Sequence, residues 1–447
     1  MHRPRVIVRP LAFAIFRMGT PHVPAPRSTS FGDIPLVVRK LIVLIAPVSA
    51  ASGFFMIYVS VFLLQLGVTP ETVGLVLAVN GAAMVLSAIP LGLLSDRKGR
   101  KWMLVLGALL FSPMLLVLAL TTDTLWLVLV GILGGLSEAA FLSTWNAMIA
   151  DGTPPAARNA AFSFSFIIGT TTSGIGLALP FVFPFLAAWT GQSVAALHHD
   201  ALLAFAALAV ISPVGVLLLR GYPEHVSRAP SRSAPLALRD RLRKVRSRAS
   251  QLRLLLTFSG VNGLIGLGAG FIIPLIGTWF QLRFGIGDEL SGPFLAATNV
   301  AMGLAGVTST TLAARLGSIH AIVLVQGLST VFMIALAFVP DPVLAAIVYV
   351  VRATLMNMAS PIMDAYLMGL VSAEERGFAS ALNTLIWRMP NSASTVGGGW
   401  LLNQGQYRSP FLIAGGLYAV GVTLFYVLFR DVRPQDESAG TPRRDTA

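Results

Sequence analysis

The sequence contains no cysteine, which excludes disulfide bonds, thiolate metal sites and cysteine-based redox chemistry. Charged residues are also scarce: they make up 11% of the 447 residues, whereas a soluble chain carries about a quarter. Hydrophobic residues account for 55% of the chain, and the mean hydropathy is +0.77. These values predict a protein that is solvated largely by lipid.

Long apolar segments recur along the chain, and a helix that crosses a bilayer needs about 20 such residues. Twelve segments qualify, at about 41–66, 71–94, 102–121, 124–150, 159–187 and 201–219, and then at about 253–282, 290–313, 319–339, 343–371, 377–402 and 409–429. The sequence therefore predicts an all-α membrane protein with twelve transmembrane helices. Its predicted parts are a tail (1–40), a six-helix bundle (41–219), a basic linker (220–252), a second six-helix bundle (253–430) and a tail (431–447).

The basic residues indicate which side of the membrane each loop occupies. If both chain ends lie on one side, 28 of the 32 Lys and Arg residues fall in the tails, linker and loops of that side. Arg283 and Arg408 fall on the other side, and Arg352 and Arg388 lie within spans. Since basic residues of short loops stay in the cytoplasm, both ends are expected in the cytoplasm, with the protein in the plasma membrane. The basic linker suits anionic lipid headgroups, so membrane lipid and not nucleic acid is its expected partner.

An internal repeat relates the two sets of spans at a constant offset of 218 residues. Among the matching pairs are Gly67 and Gly285, Gly74 and Gly292, and Gly99 and Gly317. The matches need no gap over about 90 residues, which indicates one fold used twice. Transporters with repeated halves bind their solute between them, near the bilayer midplane, and open alternately to each side.

The loop between spans 2 and 3 carries the most specific motif. It reads Gly92-Leu-Leu-Ser-Asp96-Arg97-Lys98-Gly99-Arg100-Lys101, and a shorter copy, Ala314-Arg315-Leu316-Gly317, follows span 8. The loop resembles the signature loop of the major facilitator superfamily, G-x-L-a-D-r-x-G-r-k/r. With the twelve spans and the basic linker, this resemblance covers about residues 40–430. It implies two pseudo-symmetric six-helix bundles and a transporter, not an enzyme. The sequence shows no phosphate loop and no dinucleotide fingerprint, so no cofactor is expected, and no metal is expected either.

The resemblance also implies that this loop gates the transporter. The residues concerned are Gly92, Asp96, Arg97, Gly99, Arg100 and Asp151. Asp96 is expected to meet the start of helix 11 in the outward-facing state, and the two arginines to bridge to Asp151 at the end of helix 4. The glycines permit a tight turn and a close approach of two backbones. The alternative is that the four bases of the loop only set the orientation in the membrane.

Four ionisable residues fall within the predicted spans, namely Glu138, Arg352, Asp364 and Arg388. Each costs at least about 2.5 kcal/mol at the bilayer centre, so each is expected to face a cavity or a partner. At about 1.5 Å per residue, Glu138 and Arg388 both lie roughly 18 Å from the cytoplasmic ends of their helices, near the midplane. Arg352 lies about one turn nearer the outside, and Asp364 lies close to the cytoplasmic mouth. In the resembling family helices 1, 4, 7 and 10 line the cavity, which favours Glu138 and Arg352 as the direct substrate contacts.

Different roles are predicted for these charges. A carboxylate removed from water, such as Glu138, can carry a proton through the transport cycle, whereas an arginine stays charged and suits an anionic substrate group. One alternative is a carrier of anionic metabolites that uses Arg352 and Arg388 without obligatory proton coupling. A second is a buried ion network that only fixes the packing. A third is a membrane-embedded enzyme or a non-transporting sensor on the same scaffold.

Other polar residues complete the predicted pathway. Trp145 shares a helical face with Glu138, Asn357 lies on the same stripe of helix 10 as Asp364, and Asn262 is expected to line the pore. The adjacent His198 and His199 predict an exposed loop, because neighbouring positions do not converge on one metal ion.

The sequence thus predicts a monomeric secondary transporter of a small organic solute, driven by protons and working by alternating access. Import and export, including drug or metabolite efflux, are both compatible with it. Sugars, phosphates, carboxylates and amphipathic drugs are all compatible substrates.

Overall fold

The structure, a computed structural model, describes residues 31–154, 157–219, 238–371 and 376–432. Twelve long helices within these ranges follow the order of the predicted spans, and the described residues contain no strand. The helices are α1 (Leu36–Gln65), α2 (Pro70–Lys98), α3 (Arg100–Leu120), α4 (Thr124–Gly152), α5 (Ala160–Thr190), α6 (Val194–Leu218), α7 (Leu252–Phe284), α8 (Asp288–Leu316), α9 (Ser318–Leu336), α10 (Pro342–Leu370), α11 (Arg376–Asn403) and α12 (Ser409–Phe429). The helix that forms the first part of α7 begins earlier, at Leu238, and ends at Gly270, so the second part of the predicted linker is helical.

Ten of these helices are long and apolar enough to cross a membrane. The other two, α8 and α11, are similar in length, with 29 and 28 residues, but they are more polar. Each of them packs against the other half of the molecule, α8 against α5 and α11 against α2. Small and polar residues suit this position, because transmembrane helices associate through close backbone approach and interhelical hydrogen bonds.

Side-chain caps start the helices on one side of the membrane. Thr69, Asp123, Ser193 and Asp341 accept hydrogen bonds from backbone amides at the starts of α2, α4, α6 and α10. These four starts lie on the same face, since each follows an odd number of spans. We call it the opposite face, and we call the face where α6 ends and α7 begins the linker face.

The repeat is visible in the backbone. Gly99 and Gly317 both have positive φ, at 99° and 78°, and each ends one helix and begins the next. The packing of α1 on α5 recurs as that of α7 on α11, and α2 on α4 recurs as α8 on α10. Thr278 Oγ1 donates a hydrogen bond of 2.6 Å to the carbonyl oxygen of Ser60, which lies 218 positions earlier. The two equivalent positions therefore touch, which places the pseudo-two-fold axis between them.

The two halves meet most closely toward the opposite face. A Cβ atom at Gly74 of α2 would lie 2.8 Å from the carbonyl oxygen of Thr395 on α11. At the equivalent Gly292 of α8, a Cβ atom would overlap the carbonyl oxygen of Leu177 on α5. Together with the contact of α1 with α7 at Ser60, these approaches seal the molecule on the opposite face.

Candidate functional site

A cavity of about 590 Å³ lies between the two halves. Its walls come from α5, α8 and α10, and the lining residues are Phe166, Gly169, Thr170, Ser173, Asn299, Met302, Gly303, Asn357 and Pro361. The lining combines apolar surface with two hydroxyl and two amide groups. The sequence-based expectation named helices 1, 4, 7 and 10, and of these only α10 contributes to this cavity.

Asn357 is the predicted pathway residue that lines the cavity. Its Nδ2 donates to the carbonyl oxygen of Ala353 at 2.9 Å and contacts Met302 Sδ of α8 at 2.8 Å. Asp364 follows seven residues later on nearly the same face of α10 and is exposed, closer to the linker face. The polar stripe of α10 predicted from the sequence is therefore the stripe that faces the space between the halves.

Glu138 of α4 and Arg388 of α11 form an ion pair that joins the two halves. Arg388 NH2 donates to Glu138 Oε1 at 3.3 Å, and the two side chains are 35% and 34% exposed. The equal depths estimated from the helical rise thus correspond to direct contact. Since each half contributes one partner, any movement that separates α4 from α11 breaks the pair.

Arg352, which the sequence favoured as a substrate contact, lies elsewhere. It is 3% exposed, and its NH2 donates to the hydroxyl of Tyr418 on α12 at 2.7 Å. The guanidinium lies 5.4 Å from the centre of the same ring, and the Arg352 carbonyl accepts from Ser329 of α9. Arg352 precedes Asn357 by five residues, or about 140° around α10, so it points into the packing of α9, α10 and α12. The expectation that it contacts substrate is not met in this conformation.

This packing leads to a testable prediction for stability. Tyr418→Phe removes the hydroxyl that accepts from Arg352, and a buried charged donor left without its acceptor costs about 2 kcal/mol or more. We expect a lower melting temperature of the purified protein in detergent. Tyr426→Phe on the same helix is the matched control, because the Tyr426 side chain is 36% exposed. Equal melting temperatures for the two variants would contradict this role of Tyr418.

Trp145 and Asn262 are held by neighbouring helices. The Trp145 ring stacks on Phe141 with centroids 5.1 Å apart, and its Nε1 donates to Ser165 Oγ of α5 at 3.0 Å. Asn262 Nδ2 of α7 donates to Asn383 Oδ1 of α11 at 3.1 Å. Each residue therefore joins two helices of one half, and neither lines the cavity described above.

The signature loop between α2 and α3 contains the tight turn that its glycines predict. Gly99 has a positive φ of 99° between α2 and α3, and Arg100 forms an ion pair with Asp151 at the end of α4. A Cβ atom at Gly92 would make only an ordinary contact, 3.9 Å from Ser143, so no close approach occurs there in this conformation. The side chains of Asp96 and Arg97 lie outside the described residues, and their gating role stays a prediction.

The adjacent histidines predicted an exposed loop for His198, and this prediction was wrong. Ser193 caps α6, so His198 lies inside the helix and is 1% exposed. Its Nε2 lies 2.5 Å from Asp288 Oδ2 at the start of α8, in the other half. The capping signal of Ser193 could have placed His198 in a helix, but no local pattern connects it to Asp288, 90 residues later.

The family model described as Major Facilitator Superfamily matches residues 41–395 and 353–445. The chain belongs to the Major Facilitator Superfamily. The sequence resemblance is thereby confirmed, as are the all-helical membrane fold and its assignment to transporters, not enzymes. As a member of this superfamily, the chain is a multi-pass membrane transporter of a small solute.

Similar proteins place it within this broad family. The sequence is 33% identical over 124 residues to multidrug resistance protein 2 of Bacillus subtilis, a match that covers 25% of this chain and 31% of that protein. The structure resembles a bacterial homologue of the human lysosomal transporter Spinster in an inward-facing, unoccupied conformation, with a TM-score of 0.68 and 14% identity over 88% of this chain and 96% of that one. It also resembles the D-xylose-proton symporter, with a TM-score of 0.65 and 16% identity over 87% and 97% of the two chains. At these identities the structures support the fold alone.

Proposed function

We propose that this Major Facilitator Superfamily protein is a proton-coupled carrier of small organic solutes, in which Glu138 carries the proton. The observation on which the proposal rests is the ion pair between Glu138 and Arg388, which crosses from one half to the other. Alternating access requires the halves to move against each other. A titratable contact between them therefore links the proton to the movement.

The proposed cycle follows from the chemistry of this pair. With Glu138 ionised, its carboxylate accepts from Arg388 and holds α4 against α11. A proton on Glu138 removes the negative charge, so the attraction is lost and the two helices can separate. Loss of the proton on the other side of the membrane restores the pair. Separation with Glu138 ionised leaves two unpaired charges within the membrane, each at a cost of about 2.5 kcal/mol, whereas separation after protonation of Glu138 leaves only the charge of Arg388.

The cavity between α5, α8 and α10 is the proposed solute site. Its volume of about 590 Å³ lies in the range typical of drug-sized ligands. Its mixture of aromatic, hydroxyl and amide groups suits a small amphipathic solute, and no charged side chain is among its lining residues. The burial of Arg352 against Tyr418 removes one of the two cations on which a carrier of anions would rely. We therefore favour the proton-coupled carrier over the anion carrier.

The proposed orientation follows from charge. Most basic residues lie at the linker face or in the segments that adjoin it, so we place the linker face in the cytoplasm and the protein in the plasma membrane. The monomeric state stays a prediction. The conformation sealed at the opposite face is then the inward-facing one.

Substitution of Glu138 tests the proton assignment. The full-length protein is reconstituted in proteoliposomes, and uptake is driven by a pH gradient with three probes: the cationic dye ethidium, D-xylose and the organic anion benzoate. For any probe that the wild type accumulates, we expect Glu138→Gln to reduce accumulation about tenfold or more, while exchange of labelled for unlabelled probe without a gradient continues. Exchange persists because the amide keeps the shape of the side chain and removes only its ability to gain and lose a proton.

The matched control is Asp431→Asn, which neutralises an exposed carboxylate beyond the end of α12. It should transport as the wild type does. Undiminished gradient-driven accumulation by Glu138→Gln would refute the assignment of the proton to this residue. Absence of both exchange and accumulation in the wild type for all three probes would count against a carrier for these solute classes and favour the sensor.

A further inference from the structure

A buried histidine and a buried aspartate join the two halves at the opposite face. His198 of α6 and Asp288 of α8 are each 1% exposed, and His198 Nε2 lies 2.5 Å from Asp288 Oδ2. Gln65, at the end of α1, donates to the second carboxylate oxygen at 3.1 Å. The other ring nitrogen of His198 lies 2.8 Å from the Val194 carbonyl oxygen, which fixes the direction of the ring.

Aromatic rings surround the imidazole. Phe62 lies parallel to it with centroids 3.6 Å apart, and Phe183 meets it edge to face at 4.6 Å. Phe54 and Tyr58 of α1 complete the surroundings at 6.1 Å each. These rings exclude water from the pair, and an aromatic face is also a favourable neighbour for a protonated imidazole.

The His198–Asp288 pair lies far from the proposed solute cavity. Asp288 precedes Asn299, the nearest cavity residue on α8, by eleven residues, which corresponds to about 16 Å along the helix. The pair also belongs to the seal and not to the midplane, since Asp288 lies one turn before Gly292, where α8 meets the backbone of α5. Proton exchange at the pair is therefore expected only when the opposite face opens.

We propose that His198 and Asp288 form a second proton-binding site, which binds a proton from the opposite face and holds that face closed. When the halves separate there, both groups meet water, and the imidazole nitrogen takes up a proton. When the halves close, the imidazolium donates to the carboxylate, and the proton is held between them. The proton enters and leaves on the same face, so this site responds to pH and does not carry the transported proton.

The direction of the pH effect follows from the charges. With a neutral imidazole, the sealed state buries the negative charge of Asp288. Only the hydrogen bonds from Gln65 and His198 and the positive N-terminal end of the α8 dipole then stabilise this charge. With a protonated imidazole, the buried pair carries no net charge, and a compensated pair costs far less than a lone charge. In the open state each group is solvated separately, and this difference is absent. Acid at the opposite face therefore favours the sealed state.

Other titratable groups near the pair are few among the described residues. Tyr58 faces it from α1, and Glu289 follows Asp288 on α8. His199 and Asp200 of α6 are exposed and lie 3.8 Å from each other. On α7, Arg283 donates to the Val339 carbonyl oxygen instead. No basic side chain from these elements competes with His198 for Asp288.

The test measures the distance across the opposite face as a function of pH. The natural absence of cysteine allows spin labels at Thr122→Cys and Gln404→Cys, which lie in exposed loops of the two halves on that face. The full-length protein in nanodiscs is examined by pulsed electron paramagnetic resonance between pH 8 and pH 5, the range in which histidine changes its charge. We expect the short-distance population to rise as the pH falls, with the ratio of sealed to open changing by up to about tenfold per pH unit.

Two variants assign the effect. His198→Gln keeps a side-chain N–H donor but cannot be protonated, so its distance distribution should not respond to pH. His199→Gln removes the exposed neighbouring histidine and should respond as the wild type does. Glu138→Gln should also keep the response, which separates this site from the proposed transport proton, so that failure of one proposal leaves the other standing.

Three results would overturn the proposal. One is a wild-type distance distribution that does not change with pH, which needs no variant at the pair and so does not depend on variant folding. Another is an unchanged pH response in His198→Gln. The last is a response that disappears in His199→Gln.

Discussion

Gly292→Ala is expected to trap the transporter with its opposite face open. A methyl group at this position would overlap the carbonyl oxygen of Leu177 on α5, and this atom belongs to the backbone and cannot rotate away. Overpacking of this kind costs about 1–3 kcal/mol, which shifts a two-state equilibrium roughly 5-fold to 150-fold. Only the sealed state contains the close approach, so only that state is destabilised. Solute uptake should fall in proportion to the loss of the sealed state.

Cysteine labelling measures this shift. Val61 is fully buried where α1 meets α7 at the opposite face, so Val61→Cys should react with a membrane-impermeant maleimide only when that face opens. Gly292→Ala should raise the labelling rate strongly. Gly74→Ala, where the methyl group would lie 2.8 Å from Thr395 O, should raise it less. Gly416→Ala in α12 is the control, since nothing lies within 4 Å of its Cβ position. A labelling rate in Gly292→Ala equal to that of Gly416→Ala would show that the approach of α8 to α5 does not set the equilibrium.

Swapping the charges of Glu138 and Arg388 should restore the transport that is lost when the charge of either residue alone is reversed. Arg388→Glu places two carboxylates together, and Glu138→Arg places two guanidinium groups together. Either change adds like-charge repulsion to an uncompensated charge near the midplane, which costs about 2.5 kcal/mol and corresponds to a loss of roughly 70-fold. The double variant Glu138→Arg with Arg388→Glu recovers the attraction. We expect exchange of labelled solute in proteoliposomes to return to within about tenfold of the wild type.

The double-mutant cycle carries its own control. Side chains in contact show coupling energies of about 0.5–3 kcal/mol, whereas distant residues behave additively. Asp364 is also a carboxylate, but it lies toward the linker face of α10 and is not part of the pair. Combination of Glu138→Arg with Asp364→Arg should therefore give additive losses and no recovery. Additive losses in the charge-swapped variant would indicate that the 3.3 Å contact does not persist in the working cycle.

The fold was predictable because its determinants are local. Apolar length marks each span, and the predicted starts at 71, 124 and 343 lie within one residue of the observed starts of α2, α4 and α10. The sixth span was predicted from 201, whereas α6 begins at Val194, after the cap Ser193. The repeat offset of 218 also correctly anticipates that equivalent positions play equivalent roles, as at Gly74 and Gly292. Even the depth of Glu138 and Arg388 could be estimated, since the helical rise is constant.

The direction in which each side chain points was harder to predict from the sequence, because it depends on how a helix is rotated against its neighbours. Arg352 shows the difficulty: the sequence identifies the polar stripe of α10 with Asn357, but it does not show that Arg352, on a neighbouring stripe, packs against Ser329 and Tyr418 of other helices. His198 shows another, since its partner comes from the other half. Such long-range pairs leave no local pattern, and only the assembled bundle reveals them.

The contact of Thr278 with Ser60 has a consequence for the origin of the molecule. In a symmetric dimer, residues on the rotation axis touch their own copies, and such interfaces are isologous. This single chain keeps that geometry, so its halves dock as two copies of an ancestral subunit would. Severed between residues 219 and 238 and produced together, the two fragments should reassemble without a covalent connection.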